Sequence, residues 1–150
     1  MRLRDFFTPG AIDLDLHAAN KDSALGELVR LLGVDARAEE TLLRVLQRRE
    51  SLGSTGMGRG IAIPHCRSLV ANRLRIAYGQ SREGIEFQAI DGKPVRHLFL
   101  IVAPPLEISN QYLPVLGRIA QFAKEPDVPD RLAALTRPED FFRLLEEKGD

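Results

Sequence analysis

The chain has 150 residues, in which 21 lysines and arginines balance 21 aspartates and glutamates, and it contains a single cysteine. This length suits one domain over residues 1–150, and the balanced charge lacks the clustered positive excess of a nucleic-acid-binding protein. One cysteine excludes an internal disulfide and suits a reducing compartment, and no apolar run reaches membrane-spanning length, so the sequence predicts a cytoplasmic protein without membrane insertion.

The first third of the chain is predicted to form two helices. Asn20 can cap a helix that runs to Leu32 and stops at Gly33. A second helix is predicted over Ala38–Glu50. Its apolar stripe consists of Leu42, Val45 and Leu46. Arg49 falls on the same stripe one turn later, and a charge that faces inward needs a partner.

The middle of the chain has the patterns of β-strands. Ile61–Ile63 is a short apolar run, and Leu74–Gln80 alternates apolar residues with others. Ile85–Ile90 and Val95–Val102 flank the turn dipeptide Asp91-Gly92, so these segments are predicted to form a strand, a turn and a strand. The last segment contains HLFLIVA, whose continuous apolar character favours a central strand that is covered on both faces.

The last third of the chain is predicted to be helical. One helix has an apolar stripe made of Leu113, Leu116, Ile119, Ala120 and Ala123. Pro114 is compatible with this helix because the first turn does not need its backbone N–H groups. Pro129 is expected to open a short helix. Thr136 and Glu139 form a capping-box pattern for a final helix through Leu145. Helices before, between and after the strands predict a single-domain α/β fold with a mixed central β-sheet flanked by α-helices.

A glycine-rich run, GSTGMGRGIAIPHC, occupies residues 53–66. It does not match the phosphate-binding loop of nucleotide-binding proteins, which ends in Gly-Lys-Ser/Thr and opens a helix. It does not match the dinucleotide fingerprint either, because its spacing is G-x-G-x-G and a strand-like segment follows it. The three histidines are far apart in the sequence and one cysteine gives no paired spacing, so the sequence predicts no metal site and no cofactor.

His65, near the end of this run, is the candidate nucleophile. A neutral imidazole can attack phosphorus through one ring nitrogen when a carbonyl holds the proton on the other nitrogen. The glycines can supply N–H donors to the phosphoryl oxygens, Ser54 and Thr55 can add hydroxyl donors, and Arg49 can add a two-pronged cationic contact. Cys66 has no visible group to activate it and is expected to be inert packing.

Structural explanations for the same residues stay open. His65 can be a satisfied structural histidine, the glycines can build a bulged turn, and Arg49 can be a cation at the end of a helix. The combination favours a phosphoryl site, because Arg49 lies close in sequence to the glycine run and needs a partner there.

Residues 48–65, RRESLGSTGMGRGIAIPH, resemble the signature of the fructose/mannitol-type IIA proteins of the bacterial phosphotransferase system, including the nitrogen-regulatory branch. The layout agrees over essentially the whole chain, so the resemblance implies the fold of these proteins. It implies that His65 accepts a phosphoryl group from a phosphocarrier protein, HPr or its nitrogen-branch equivalent. The group then passes to a IIB partner or serves as a regulatory mark.

The resemblance also implies roles for the neighbouring residues. Arg49 matches the active-site arginine of the family, and Glu50 matches the acidic residue after it, which is expected to be a structural anchor. Together with the glycines of the run, the family's hydroxyl positions complete the predicted phosphoryl pocket. The predicted phosphoryl-binding residues are Ser54, Thr55, Gly58 and Gly60.

One position departs from the family pattern. Family members usually carry a second histidine at the start of the helix after the long apolar strand, but this region reads ISNQYLPVLGRIA and Tyr112 is the best match. Tyrosine can donate a hydrogen bond to a phosphoryl oxygen but carries no positive charge near neutral pH. This change favours a regulatory role, as does a chain with no room for fused IIB or membrane IIC domains. The alternative is a regulatory binding module whose partners are controlled by, or independent of, phosphorylation of His65.

Overall fold

A mixed β-sheet forms the centre of the computed structural model, which describes residues 2–149. Its strands are β1 (Phe7–Asp13), β2 (Gly56–Gly58), β3 (Ile61–Ala62), β4 (His65–Arg67), β5 (Arg75–Ile85) and β6 (Val95–Ala103). The order across the sheet is β1-β5-β6-β3-β2, and β4 also pairs with β6. The β1–β5, β3–β6 and β4–β6 pairs are parallel, whereas the β5–β6 and β2–β3 pairs are antiparallel.

Helices cover both faces of this sheet. They are α1 (Lys21–Arg30), α2 (Ala36–Leu52), α3 (Tyr112–Lys124), α4 (Val128–Ala133) and α5 (Pro138–Glu147), with a 3-10 helix, Leu3–Phe6, before β1. Successive side chains of a strand point to opposite faces. Tyr78 of β5 stacks on Phe141 of α5 with ring centroids 4.9 Å apart, whereas a Cβ on Gly79 would lie 2.8 Å from the Leu28 side chain of α1. The expected α/β fold is confirmed.

β6 is the central strand, as its apolar sequence predicts. Every residue from His97 to Ala103 is buried. On the face towards the last three helices, Phe99 packs against Tyr78 and against Phe122 of α3, with ring centroids 5.0 and 6.2 Å apart. This aromatic cluster fixes α3 and α5 on the sheet, and burial of rings of this size is a major source of stability.

The helix predictions for the first third of the chain are confirmed, with small shifts at the ends. Asn20 caps α1, because its side chain accepts from the backbone N of Ser23 at 2.9 Å. α2 begins two residues earlier than predicted, because Asp35 caps it by accepting from the backbone N of Ala38 at 2.8 Å. Pro129 lies in the first turn of α4, as expected. Within residues 2–149, none of the helices has both the length and the apolar character needed to span a membrane.

The predicted strand over Ile85–Ile90 is wrong. β5 itself is the antiparallel partner of β6, and its pairing ends with Ile85 opposite Val95. Beyond this pair the chain leaves the extended conformation, and Gln88 has a φ of 53°, which breaks a strand. The turn at Asp91-Gly92 does form, but it lies in a long connection rather than at the tip of a short hairpin.

Three further details differ from the sequence analysis. α5 begins at Pro138 after Arg137, so the capping-box pair Thr136–Glu139 does not mark its start; proline fits the first helical position. Leu113 is exposed, because the buried face of α3 starts at Val115. β1 was not predicted, because a proline and a glycine interrupt its apolar pattern.

A buried polar network joins the sheet to α4. His97 is 3% exposed, and the Tyr78 hydroxyl lies 2.9 Å from its Nδ1. Gln80 Nε2 donates to the Tyr78 hydroxyl at 3.0 Å and to the carbonyl of Leu132 at 2.8 Å. Burial, reinforced by the charge of Arg96, lowers the pKa of His97 to about 4. His97 is therefore a neutral structural histidine near neutral pH.

Acidification is expected to destabilise the protein through His97. Its folded-state pKa of about 4 lies below the ordinary value of 6.5, so the unfolded chain binds the proton first as the pH falls. The contribution of this residue to the free energy of unfolding is complete above pH 6.5 and falls by about 3 kcal/mol down to pH 4. Urea unfolding between pH 7 and pH 4 measures the loss. His97→Asn should flatten this dependence, and an equal slope in both proteins would contradict the assignment.

Candidate functional site

His65 begins β4 and lies on the face of the sheet that α3 covers. His65 is paired with Ile101 of β6. Ile101 and Phe99 are two residues apart on this strand, so their side chains point to the same face of the sheet. Phe99 packs against Phe122 of α3, which places α3 on that face. Nδ1 of His65 lies 2.6 Å from the carbonyl oxygen of Ile63. Because a carbonyl oxygen can only accept, Nδ1 carries a proton, and in the neutral imidazole the lone pair is then on Nε2.

Tyr112, the first residue of α3, lies beside this imidazole. The ring centroids of Tyr112 and His65 are 6.0 Å apart. Burial and the neighbouring Cys66 raise the pKa of Tyr112 to about 12, against the opposite effect of Arg67 and Arg49. The hydroxyl therefore stays protonated near neutral pH and is available as a hydrogen-bond donor without a positive charge.

Arg67 is a site residue that the sequence analysis missed. It follows His65 by two residues in β4, so both side chains point to one face. Its guanidinium carbon lies 4.6 Å from the ring centroid of Tyr112, and its Nη1 donates to the carbonyls of Pro104 and Ser109 at 2.8 and 3.2 Å. Arg67 therefore holds the segment before α3 and places a positive charge on the Tyr112 ring. The spacing of two residues on a strand was the available signal.

Arg49 reaches the same site from the last turn of α2. Its Nη1 donates to the carbonyl of Gly53 at 2.8 Å. β2 pairs with β3 so that Gly56 lies opposite Ala62, and the backbone N of Ile63 donates to the carbonyl of Thr55 at 3.2 Å, so the segment after α2 runs alongside the residues that precede His65. The charge of Arg49 also acts on the Tyr112 hydroxyl, as its effect on that pKa shows. Arg49 therefore lies within electrostatic range of Tyr112, the ring that neighbours His65.

The buried charge on the inner stripe of α2 is Glu50, and the prediction that Arg49 occupies this place is wrong. The side chain of Glu50 is 3% exposed, whereas Arg49 is half-buried. Leu42, Leu46 and Glu50 recur every four residues, and this repeat carries the inner stripe to Glu50 at the end of the helix. Glu50 accepts from the backbone N of Thr55 at 3.1 Å and from the Thr55 hydroxyl, as a structural anchor would.

The two hydroxyls predicted to bind the phosphoryl group are engaged within the chain. Ser54 donates its hydroxyl to the carbonyl of Phe87 and accepts from the backbone N of Gly56 at 3.0 Å. Thr55 donates its hydroxyl to Glu50 and is buried. Both residues directly precede β2, and their hydroxyl protons are committed to acceptors within the chain.

Gly58 and Gly60 form the turn between β2 and β3, where their φ values of 91° and 79° require glycine. The carbonyl of Gly60 accepts from the backbone N of Arg96 at 2.8 Å. Arg96 precedes Ile101, the partner of His65, by five residues of β6, so Gly60 lies about 16 Å along the sheet from the histidine. The structure does not bring these two predicted phosphoryl-binding glycines to His65.

Cys66 lies between the two site residues of β4 but is 6% exposed. Burial raises the pKa of its thiol to about 12, so the thiol stays protonated and unreactive near neutral pH. In the part of the chain that the structure describes, no group of three or more His, Cys, Asp or Glu side chains is arranged to hold a metal ion.

Large exposed apolar side chains lie on the segments that carry the site, and we call this set the apolar collar. Its members are Leu52, Leu69, Leu106, Ile108 and Leu113. Leu52 adjoins Gly53, Leu69 follows β4, and Leu113 is next to Tyr112. Leu106 and Ile108 lie on the segment that Arg67 holds. Exposed apolar residues grouped around polar chemistry are typical of a surface that binds a protein.

Residues 5–148 match the family described as "Phosphoenolpyruvate-dependent sugar phosphotransferase system, EIIA 2". The chain belongs to this family. The resemblance noted in the sequence is thus confirmed. A relative in the nitrogen-regulatory branch, the nitrogen regulatory protein of Pseudomonas aeruginosa, is 31% identical over 147 residues, which cover 97% of this chain and 95% of that protein.

Other EIIA 2 relatives differ in length. The nitrogen regulatory protein IIA-Ntr from Neisseria meningitidis has a similar structure, with a TM-score of 0.85 and 28% identity over 94% of this chain and 97% of that chain. The fructose-specific EIIABC component of Bacillus subtilis is 28% identical over 134 residues, which cover 88% of this chain. This chain spans 21% of that longer protein. The family fold therefore occurs both as nearly a whole protein and as part of a larger one.

Proposed function

We propose that this protein accepts a phosphoryl group on Nε2 of His65 from an HPr-like phosphocarrier. The observation that carries the proposal is the hydrogen bond from His65 Nδ1 to the carbonyl of Ile63, which leaves Nε2 of the neutral imidazole without that proton and available to attack. A histidine held in this tautomer is poised as a nucleophile. Membership of the EIIA 2 family supports the same chemistry.

The proposed phosphoryl transfer needs only the two nitrogen atoms and no cofactor. The Nε2 lone pair of His65 forms the new N–P bond while the bond between phosphorus and the donor's nitrogen breaks, and that electron pair stays on the donor nitrogen. Nδ1 keeps its proton, so the phosphorylated ring is cationic and its N–H remains bonded to the carbonyl of Ile63. Because phosphoryl transfer needs mainly positioning and charge stabilisation, the rest of the site has to supply those two things.

Three side chains are proposed to stabilise the phosphoryl oxygens. Arg49 is held at the end of α2 by the carbonyl of Gly53, and we propose that its guanidinium forms a two-pronged contact with them. Tyr112 can donate its hydroxyl from beside the imidazole, and Arg67 supplies the positive charge that a tyrosine lacks. Ser54 and Thr55 are proposed to shape the pocket through their bonds within the chain.

The apolar collar supports a protein as the phosphoryl donor. A carrier must bring its own phosphohistidine to His65 for direct in-line transfer, so the two surfaces have to exclude water around the reacting atoms. The collar provides apolar contact area, and Arg49 and Arg67 provide attraction for the phosphoryl group. The same surface would then receive a IIB partner or a regulatory target. We propose a cytoplasmic location for this protein, because its single cysteine suits a reducing compartment.

A regulatory use of the phosphoryl group is the second candidate role. The observation that favours it is the neutral Tyr112 beside His65, because a neutral donor stabilises the phosphoryl dianion less than a cation does. A relative over nearly its full length, the protein of Pseudomonas aeruginosa, carries the name nitrogen regulatory protein. In this role the modified His65 would change the binding of a protein partner.

Phosphoryl transfer to His65 can be tested with phosphoenolpyruvate, enzyme I and HPr. The protein is expected to acquire one acid-labile phosphoryl group, mapped to His65 by mass spectrometry and to Nε2 by ³¹P and ¹⁵N NMR. Arg49→Ala should slow single-turnover labelling about 100-fold through loss of charge stabilisation. Cys66→Ala is the matched control and should label at the wild-type rate. Absence of labelling with cognate carriers, or a modification elsewhere, would refute the proposal.

Substitution of Tyr112 tests its role beside the imidazole. Tyr112→Phe removes the hydroxyl donor, so the phosphohistidine is expected to hydrolyse several-fold faster and to form about tenfold more slowly. Tyr112→His should restore a hydrogen-bond donor that can also carry a positive charge, so the phosphohistidine is expected to form at least as fast as in the wild type. Lifetimes of the isolated phosphorylated proteins provide the measurement. Equal lifetimes in all three proteins would show that the Tyr112 hydroxyl does not stabilise the phosphoryl group.

The regulatory role is tested by affinity capture from the cells that make this protein. The phosphorylated and unphosphorylated wild type are expected to capture at least one partner to different extents, because the phosphoryl group adds negative charge at His65. His65→Ala, treated in the same way, should show no such difference. If every partner is indifferent to both phosphorylation and His65→Ala, His65 is not a switch for binding.

A further inference from the structure

A buried ion pair lies behind the site and joins α1 to α2. Lys21 Nζ is 3.3 Å from Oε1 of Glu50, and the two side chains are 17% and 3% exposed. Lys21 also donates to the side chain of Gln88 at 3.3 Å and lies 4.7 Å from the ring centroid of Phe87. A carboxylate this deeply buried needs both a counter-charge and hydrogen-bond donors, and Lys21 supplies the counter-charge.

Glu50 changes the hydrogen-bond pattern between β2 and β3. The register of Gly56 opposite Ala62 makes Thr55 and Ile63 the next antiparallel pair, whose members can exchange two backbone bonds. The backbone N of Ile63 does donate to the carbonyl of Thr55 at 3.2 Å. The backbone N of Thr55, however, donates to Oε1 of Glu50 at 3.1 Å. The carboxylate thus takes the donor that the Ile63 carbonyl would otherwise receive.

The released carbonyl is the one that holds the nucleophile. The carbonyl of Ile63 accepts from Nδ1 of His65 at 2.6 Å. The same helix end also sets Arg49, since the backbone N of Gly53 donates to the carbonyl of Glu50 at 3.2 Å and the carbonyl of Gly53 accepts from Arg49. One continuous chain of contacts therefore runs from Lys21 through Glu50 to both functional side chains.

We propose that Glu50 and its counter-ion Lys21 are positioning residues for phosphoryl transfer: Glu50 diverts the Thr55 N–H and so frees the Ile63 carbonyl to hold His65 as the Nδ1–H tautomer. The inference rests on the proposed function, because it takes His65 as the phosphoryl acceptor. Neither residue touches the phosphoryl group. They act by keeping the Nε2 lone pair on a ring whose orientation is fixed by one strong hydrogen bond.

The proposal is tested with Glu50→Met, which removes the acceptor while keeping similar length. The Thr55 N–H is then expected to bond to the Ile63 carbonyl and compete with the imidazole. ¹⁵N NMR of the unphosphorylated protein should show the tautomer ratio of His65 moving towards that of a histidine in an unstructured peptide. Single-turnover labelling should slow by 10- to 100-fold, since a small misplacement of a reacting group has effects of about this size.

Conservative variants separate positioning from general stability. Glu50→Gln keeps an amide oxygen for the Thr55 N–H, so the tautomer ratio should return close to that of the wild type. Glu40→Met, at an exposed glutamate of the same helix, is the matched control and should change neither readout. If Glu50→Met does not fold, Lys21→Met provides the decisive comparison, with Lys21→Arg as its rescue.

The two readouts also distinguish the possible failures. A folded Glu50→Met or Lys21→Met variant with the wild-type tautomer ratio and rate would overturn the positioning role. If the wild type itself is never labelled, the proposed function fails, but the shift in tautomer ratio still decides whether Glu50 controls the imidazole. A fall in melting temperature with an unchanged His65 spectrum would assign the pair to stability alone and would also overturn the proposal.

Discussion

The backbone pairing of β6 is the constraint on which the rest of this structure depends. β5 pairs along one of its edges, while β3 and then β4 pair along the other. Pro64 lies between β3 and β4, and its carbonyl still accepts from the backbone N of Ile101 at 3.0 Å. Because β6 is buried on both faces, a slip in its register would move its apolar side chains out of their packed contacts. The position of His65 on the sheet follows from this pairing.

The candidate site is built from three segments of the chain. The end of α2 contributes Arg49, β4 contributes His65 and Arg67, and the start of α3 contributes Tyr112. Each of these side chains has a backbone carbonyl or a ring as a close neighbour, so their positions are set before any ligand arrives. Such preorganisation is what phosphoryl transfer requires, because the reaction gains little from new covalent chemistry by the protein.

The buried pair of Lys21 and Glu50 explains how the Ile63 carbonyl can hold His65 although Ile63 also pairs with the segment before β2. A regular ladder between β2 and β3 would stabilise the sheet edge, but it would also occupy the carbonyl that His65 uses. Glu50 replaces the missing backbone acceptor, and its own burial is compensated by the lysine from α1. Stability and the orientation of the imidazole therefore depend on the same carboxylate, which links α1 to the chemistry although it lies outside the site.

The sequence by itself determined the α/β class, the existence of the five helices, with ends within two residues for α1 and α2, and the family, and it singled out His65 and Arg49 as candidates, because caps, apolar periodicity and an ordered motif are local signals. Tertiary structure decided which hydroxyls are committed to other acceptors, why Gly58 and Gly60 lie away from the histidine, and that Glu50 rather than Arg49 is buried. It also decided the roles of Arg67 and Lys21. Those properties depend on strand register and on contacts between segments far apart in sequence, and neither is encoded in a local pattern.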